Sequence, residues 1–400
     1  MSDTFDLPEL HLSSKVQSIP EALSIYINNL IYKMKHSGEQ VMTLSLGEAH
    51  FDLPYFGFDD LDFSSGYHYS ESRGIPEIRE CISRYYADRY AADVDASEEI
   101  LVSAGSKPLI FMALQAILEP GDEVLIMEPA WLSYPEQVKL AGGIPVFVPY
   151  ACSLEDLDSF ITSKTKAVII NNPNNPAGRL YTKDELLLIY GKMRKAGAYM
   201  IVDEAYSDFV NNASFPSMAT LVPTKEGIIV ANSLSKNLGM SGWRIGYCIA
   251  KPEVIFAMLK LNQHLITCTS TILLMYVAKH FDQLVSATQP QVSEVVSLRN
   301  DVRDYATSIG LRVLPGDSTF YLFLDVSEYG RPSLDLAMHL LFKHQIGVVP
   351  GSAYGKSTDG FIRIGVGVES LEDMKRALDT ISRTIVSKEY DADAISTGLK

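Results

Sequence analysis

No two of the four cysteines, Cys81, Cys152, Cys248 and Cys268, are spaced as in C-x-x-C. That removes the usual zinc pattern and any disulfide framework, so no metal is expected and reduced thiols in a cytoplasmic protein are the simple expectation. Basic excess is missing too: 34 Lys+Arg stand against 49 Asp+Glu, a formal net charge of -15. A chain so acidic has no surplus cations to displace phosphate counterions, and no nucleic-acid partner is expected. Long hydrophobic runs are also absent. The most apolar stretch, "LITCTSTILLMYVAKHF" (265–281), is interrupted by polar residues and is too short to cross a bilayer. It reads as a buried helix, and no membrane partner is expected. The start, "MSDTFDLPEL", has neither the basic nor the apolar region of a signal peptide. What is present is ordinary for a globular protein with a full-sized core: 47% hydrophobic and 21% charged over 400 residues.

Apolar runs alternate with amphipathic ones through the middle of the chain. "EILVSAG" (99–105), "VLIMEP", "IPVFVPY", "KAVIINNP" (166–173), "YMIVDEA" and "GIIVANS" read as strands. "KPLIFMALQAIL" (107–118), "YPEQVKLAGG" (134–143) and "TKDELLLIYGKMRKAG" (182–197) read as helices between them. Near-continuous apolar strands separated by helices predict an α/β fold: a large, mostly parallel sheet of the seven-stranded type, covered by helices. The ends differ. Residues 11–45 hold a helix-like segment and the start of a short apolar run, "VMTLSLG". After about residue 290 a long helix leads to "TFYLFLDV", a helix near 333–345, "IGVVPG", "FIRIGVG" and a last helix. This predicts a smaller α+β domain made from both chain ends. The expected division is 1–48 for an N-terminal arm and part of the small domain, 49–290 for the large domain, and 291–400 for the C-terminal small domain. The tail "EYDADAISTGLK" reads as poorly ordered.

In open α/β sheets ligands bind at the carboxyl ends of the strands. Gly105-Ser106-Lys107 follows the first strand and opens a helix. Trp131 follows the second, Asn175 follows "AVIINNP", Asp203 and Tyr206 close "MIVDEAY", and Ser233, Ser235, Lys236 and Arg244 follow "IIVANS". Taken singly, each has an ordinary explanation: a lysine after a strand is usually a solvated surface residue, and a tryptophan is usually core. Jointly they suit one ligand. A lysine in an apolar crevice has a lowered pKa and can form a Schiff base. A helix N-terminus with serines and an arginine suits a phosphate. A carboxylate can pair with a protonated ring nitrogen, a phenol and an amide can bond a phenolic oxygen, and an indole can stack on a flat ring. Pyridoxal 5'-phosphate carries all of these groups.

Four motifs, "YHYSESRGIPEIRE", "NNPNNPAG", "IVDEAY" and "SLSKNLGMSGWRIGY", occur in that order. With them the chain, over roughly residues 12 to 385, resembles the fold-type I pyridoxal-phosphate enzymes of the aspartate aminotransferase (class I/II aminotransferase) family. The resemblance implies catalytic roles for Lys236, which would carry the internal aldimine and shuttle the substrate α-proton, and for Asp203 and Tyr206. Asp203 would pair with the pyridinium nitrogen, Tyr206 and Asn175 would bond the phenolic oxygen, and Trp131 would stack on the ring. Ser106, Lys107, Ser233, Ser235 and Arg244 would surround the phosphate, joined by Tyr69 lent across a homodimer interface. Arg363 would clamp the carboxylate of an amino acid substrate, beside Gly47 and Asn175.

The chain departs from the family pattern at "GEAHF" (47–51), which brings His50 to the expected substrate entrance, and at "DSTFY" (317–321). It also departs at "SIPEAL" and along 54–69, where an amphipathic helix is replaced by aromatic and acidic residues. The expected activity is transfer of an amino group to a 2-oxo acid by way of a quinonoid. The alternative is a lyase, cyclodehydratase or oxidase acting on an arginine-like amino acid without net amino transfer. Glu9, Glu48, Asp52, Asp59 and Asp60 would then recognise the guanidinium. A non-catalytic protein on a decayed scaffold is a third class, opposed by the intact Lys236, Asp203 and Arg363.

Overall fold

The computed structural model describes residues 10–211 and 214–399. Its centre is a seven-stranded sheet whose strands lie in the order Ile100–Ser103, Gly246–Ala250, Ile228–Ser233, Tyr199–Asp203, Thr165–Asn171, Glu123–Met127 and Ile144–Val148. Five of these strands form parallel pairs; Gly246–Ala250 runs against both of its neighbours. Ile228–Ser233 and Gly246–Ala250 are buried from end to end and the other interior strands nearly so, because helices cover both faces. Sequence reasoning finds six of the seven strands. It passes over Gly246–Ala250 because "GYCIA" adjoins a motif already assigned to ligand binding.

A four-stranded antiparallel sheet of Val349–Pro350, Phe361–Gly365, Tyr321–Asp325 and Arg312–Val313 forms the second layer. Both chain ends build it. Met42–Thr43 pairs in parallel with Ile346–Gly347, and Ile27 and Ile31 of the helix Leu23–His36 pack with Met338 and Leu341. The helix Leu371–Ser387 shows why these segments form: Met374, Ala377, Leu378, Ile381 and Ile385 recur at three- and four-residue steps and are buried. Ser370 caps its start by accepting from Asp373 N. In the large layer a Thr182–Glu185 capping box opens Lys183–Lys195, an arrangement worth about 1 kcal/mol.

Two expectations need correction. The stretch 265–281 is not one buried helix: Pro252–Leu265 ends there, residues 266–270 are irregular, and a helical segment kinked at His280 runs Thr271–Ser308. Its apolar residues Leu274, Val277 and Phe281 are buried, whereas Leu265 is exposed, so the hydrophobicity belongs to two elements. The helix Thr271–Ser308 also runs through the expected boundary at 290/291. The tail is not featureless either. Ala392–Gly398 is a helix capped by Asp391, which also pairs with Lys343 at 3.0 Å. Among the described residues no helix is long and apolar enough to cross a membrane.

Candidate active site

The carboxyl ends of the parallel strands and the two central strands of the smaller sheet border a cleft of about 630 Å³, counted to its open mouth. Lys236, Asp203, Tyr206, Asn175, Trp131, Ser106, Gly47 and Arg363 line it together. These residues come from seven chain segments, and the topology of the two sheets is what brings them to one place.

Asp203 ends its strand, and its main-chain oxygen accepts from Asn171 Nδ2 at 2.9 Å across the parallel pair. Its carboxylate accepts from the Tyr134 hydroxyl at 2.7 Å and from Ala205 N at 3.1 Å. Burial nonetheless pushes its pKa above the ordinary aspartate value, and those hydrogen bonds only partly oppose it. An acid in that state is relieved by a protonated nitrogen placed beside it.

Three asparagines of "NNPNNPAG" tie down their own loop. Asn171 Oδ1 accepts from Asn175 N at 2.6 Å, Asn172 Oδ1 from Tyr181 N at 2.9 Å, and Asn174 Nδ2 donates to Pro129 O at 3.0 Å. The fourth, Asn175, turns its amide into the cleft. Its Oδ1 accepts from Arg363 Nη1 at 3.2 Å and its Nδ2 lies 3.4 Å from the Tyr206 hydroxyl. The Tyr206 hydroxyl is also 3.0 Å from that of Tyr321.

Lys236 sits on the short helix Leu234–Asn237, which Ser233 caps. Its Nζ donates to the main-chain oxygen of Gly47. Burial lowers its pKa to about 8; Glu48 opposes that shift, and Arg363 and Arg244 reinforce it. Near neutral pH a larger fraction of this amine than of an ordinary lysine is therefore unprotonated and nucleophilic.

On the other side, Gly105 precedes the helix Ser106–Ile117 with φ +98, and no side chain caps that helix. The positive φ at Gly105 favours glycine there, and a side chain would also displace the Arg244 guanidinium. Arg244 Nη1 donates to Ser235 Oγ at 3.3 Å, and Ser233 Oγ lies 2.7 Å from Ser235 Oγ. Desolvation, then the Arg244 charge, holds the Lys107 amine below the usual lysine range, and its Nζ lies 4.9 Å from the Trp131 ring centre.

Arg363 is buried. Its guanidinium lies 4.4 Å over the Tyr321 ring, and its Nη2 donates to Ser45 O at 2.6 Å. Its Nε has no hydrogen-bond partner. Among the described residues none of Lys107, Lys236, Arg244 and Arg363 forms an ion pair with a carboxylate. Arg363 is buried and Lys236 half-buried, while Lys107 and Arg244 are exposed. A buried cation without a counter-ion is costly, so the site is complementary to anionic groups from outside the chain. With a free amine, an uncapped helix end and a strained acid alongside, it fits pyridoxal phosphate and a carboxylate.

Six expected residues do not line the cleft: Lys107, Ser233, Ser235 and Arg244 form the group on its phosphate side, and His50 and Tyr69 stand apart within this chain. His50 is exposed, with its main-chain N bonded to Gly367 O at 3.3 Å, and Tyr69 is 87% exposed. Among the described residues, the acids expected at the mouth do not line the cleft. Glu48 is engaged by Ser241, Asp60 faces Lys279 at 3.9 Å, Asp52 and Asp59 are exposed, and Glu9 lies outside the described residues. Sequence reasoning misses Tyr134, Tyr321, Ser24, Asn28 and Ser45, which also line the cleft. Only Tyr134, three residues after Trp131, carried a signal, since a helix that opens at the cleft presents its first turn there.

Fold and site thus define a pyridoxal-phosphate enzyme with a lysine-centred cleft between a large parallel sheet and a smaller layer. The Aminotransferase class I and II family matches residues 41–381. The chain is 32% identical over 399 residues to the probable aspartate/prephenate aminotransferase of Aquifex aeolicus, covering 92% of this chain and 99% of that one. It is 33% identical over 359 residues to the (5-formylfuran-3-yl)methyl phosphate transaminase of Methanocaldococcus jannaschii, covering 88% and 93%. The aspartate aminotransferase of Thermus thermophilus, solved with maleate, superimposes with a TM-score of 0.86 at 28% identity over 94% of this chain and 100% of that one. The chain belongs to the class I and II aminotransferase family, whose enzymes use pyridoxal 5'-phosphate.

Proposed function

We propose that this enzyme takes the amino group from a free α-amino acid and delivers it to a 2-oxo acid in two half-reactions sharing one cleft. The observation that carries the reading is Arg363, a buried guanidinium with no carboxylate partner among the described residues, in the same cleft as the Lys236 amine, whose pKa burial lowers to about 8. Both substrates of such a reaction carry an α-carboxylate, and one arginine can serve each in turn.

Ser106, Ser233, Ser235, Lys107 and Arg244 would hold the cofactor phosphate, Trp131 would cover the ring, and Asp203 would hold the proton on the ring nitrogen. Tyr206 and Asn175 would hold the ring oxygen. Pyridoxal phosphate, when bound, supplies an aldehyde that condenses with amines and a ring that accepts electrons from a bond broken at the substrate α-carbon. Arg363, steadied by Asn175 and Ser45, orients the substrate carboxylate and thereby fixes the α-carbon. Lys236 Nζ, with a pKa of about 8, then takes the proton from that carbon and returns one to the product side. Gly47, whose oxygen accepts from Nζ, aims the amine while it is free.

The test is a single-turnover experiment on cofactor-loaded enzyme without any 2-oxo acid. The expected result is one equivalent of oxo acid per site and then a stall, relieved by adding a 2-oxo acid. Many turnovers without it, with a product that keeps its nitrogen, would replace this reading with a lyase or cyclase. Among the described residues that line the cleft the carboxylate is Asp203, and it already accepts a hydrogen bond from Tyr134.

The enzyme is also proposed to work as a homodimer. Tyr69, Tyr67 and Phe63 are exposed together around a cavity bordered by residues 268–272, an aromatic surface that a second subunit would cover. Light scattering of active enzyme is expected to give twice the chain mass; a fully active monomer would refute the assignment of Tyr69 to a neighbour's phosphate.

A further inference from the structure

Tyr321 ends the divergent segment "DSTFY" and reaches the centre of the cleft. It is fully buried, its hydroxyl is 3.0 Å from that of Tyr206, and its ring lies under the Arg363 guanidinium. The direction of the hydrogen bonds around Tyr206 follows from Arg363. A guanidinium only donates, so the Asn175 atom it meets at 3.2 Å is the amide oxygen. The amide nitrogen of Asn175 then faces Tyr206 at 3.4 Å, and it too only donates. The Tyr206 oxygen is therefore an acceptor toward Asn175. Its own proton goes either to Tyr321 or to a better acceptor in the cleft. When an anionic ring oxygen takes that proton, Tyr321 is left to donate to Tyr206, and every hydroxyl in the chain keeps a partner. Burial raises the pKa of both phenols, so both still carry protons to give.

The main chain of Tyr321 is held firmly for this task. Its oxygen accepts from Arg299 Nε at 3.1 Å and its N donates to Thr319 Oγ1 at 3.1 Å. Arg299 is fully buried and, among the described residues, forms no ion pair with a carboxylate. Burial lowers its pKa to about 10. Its Nη1 also donates to Asn300 Oδ1 at 3.3 Å, and its bond to the Tyr321 oxygen helps to fix where the Tyr321 ring stands.

We propose that Tyr321 is a positioning residue which, by donating to Tyr206, strengthens the Tyr206 hydrogen bond to the phenolic oxygen of the cofactor and so sets the pH at which the Lys236-linked cofactor loses its proton. The proposal rests on pyridoxal phosphate seated in this cleft with its phenolic oxygen at Tyr206. A donor to that oxygen stabilises the form that has lost the proton and keeps an uncompensated negative charge. Cooperative polarisation passes the effect from one hydroxyl to the next.

The experiment is a pH titration of the visible absorption of holoenzyme, comparing wild type with Tyr321→Phe, Tyr206→Phe and the double variant. Tyr321→Phe keeps the ring beneath Arg363 and removes only the hydroxyl. The midpoint is expected to rise by about half to one pH unit in Tyr321→Phe, and further in Tyr206→Phe. The double variant is expected to match Tyr206→Phe alone, because Tyr321 acts through Tyr206. The amino acid KM should change less than about twofold, since the carboxylate clamp is untouched. An unmoved or lowered midpoint in Tyr321→Phe, or full additivity in the double variant, would overturn the proposal while leaving the cofactor reading intact. A wild-type holoenzyme with no visible band would overturn both.

Discussion

Lys236→Ala is expected to abolish turnover while leaving the fold in place. The amine is asked to do two things: to form the covalent link to the cofactor, and to move a proton at the substrate α-carbon. General acid–base catalysis alone contributes about 10²- to 10⁴-fold, so loss of kcat should be at least on the order of 10⁴ when both roles go. The fold should survive because the short helix that carries Lys236 is anchored by its neighbours. Ser233 caps it, and Asn237 Nδ2 donates to Ser207 Oγ at 2.8 Å. A further signature follows from the lowered pKa. The native amine titrates at about 8 against 10.5 for an ordinary lysine, so the folded protein binds fewer protons than the unfolded chain between those values. The unfavourable charged lysine is therefore fully present below about pH 8 and is relieved as pH rises toward 10.5. Cofactor-free Lys236→Ala should melt higher than cofactor-free wild type below pH 8, by an amount that shrinks as pH rises. Assayed turnover near the wild-type rate would sink the mechanism, whatever the melting curves do.

Much of this was legible because the chemistry lies in sequence-local motifs at strand ends. "IVDEAY" announces a buried strand by its run of apolar residues, and the point where the run stops on Asp203 is the point where the chain enters the cleft. The same holds for Asn175 and Lys236. What was not legible depends on long-range register. Ser45 and Asn28 meet because the N-terminal helix docks on the second layer, and their 2.6 Å contact has no signal in either segment. Tyr321 sits opposite Gly365 in an antiparallel pair, a pairing set by two strands 40 residues apart. His50 is expected at the substrate entrance from its place in a motif, but its side chain is exposed and does not line the cleft, while its main-chain N bonds Gly367 O. The tail was misjudged because polar composition says nothing about a helix stabilised by one cap and one ion pair with a neighbouring helix.

Arg363→Ala should leave cofactor binding nearly unchanged and weaken amino acid binding by about 2–4 kcal/mol, the range for losing a charge-assisted, bidentate contact in a buried site. At about 1.4 kcal/mol per decade, KM would rise roughly 30- to 1,000-fold. Two alternatives can lower activity without touching the clamp, and each has its own signature. Removing the guanidinium leaves a gap beneath Tyr321 and Tyr354, which it contacts at 4.4 and 5.5 Å, so some loss of stability is expected in the alanine variant. Arg363→Lys keeps a charge and much of the volume but cannot present two parallel N–H groups, and it should recover only part of the affinity. Asn175 would also lose its partner, and a disturbed Tyr206 would appear as a shifted cofactor absorption rather than as a changed KM. The decisive comparison uses an amino acid and the amine obtained by removing its carboxylate. Wild type should discriminate strongly between them. Arg363→Ala should discriminate little, because the carboxylate no longer meets a cation in that part of the cleft, while the half-reaction with the amine proceeds at a similar rate in both proteins. Discrimination retained in full would mean that another residue receives the carboxylate, and that the buried arginine serves only to hold Asn175 and the two tyrosine rings in place.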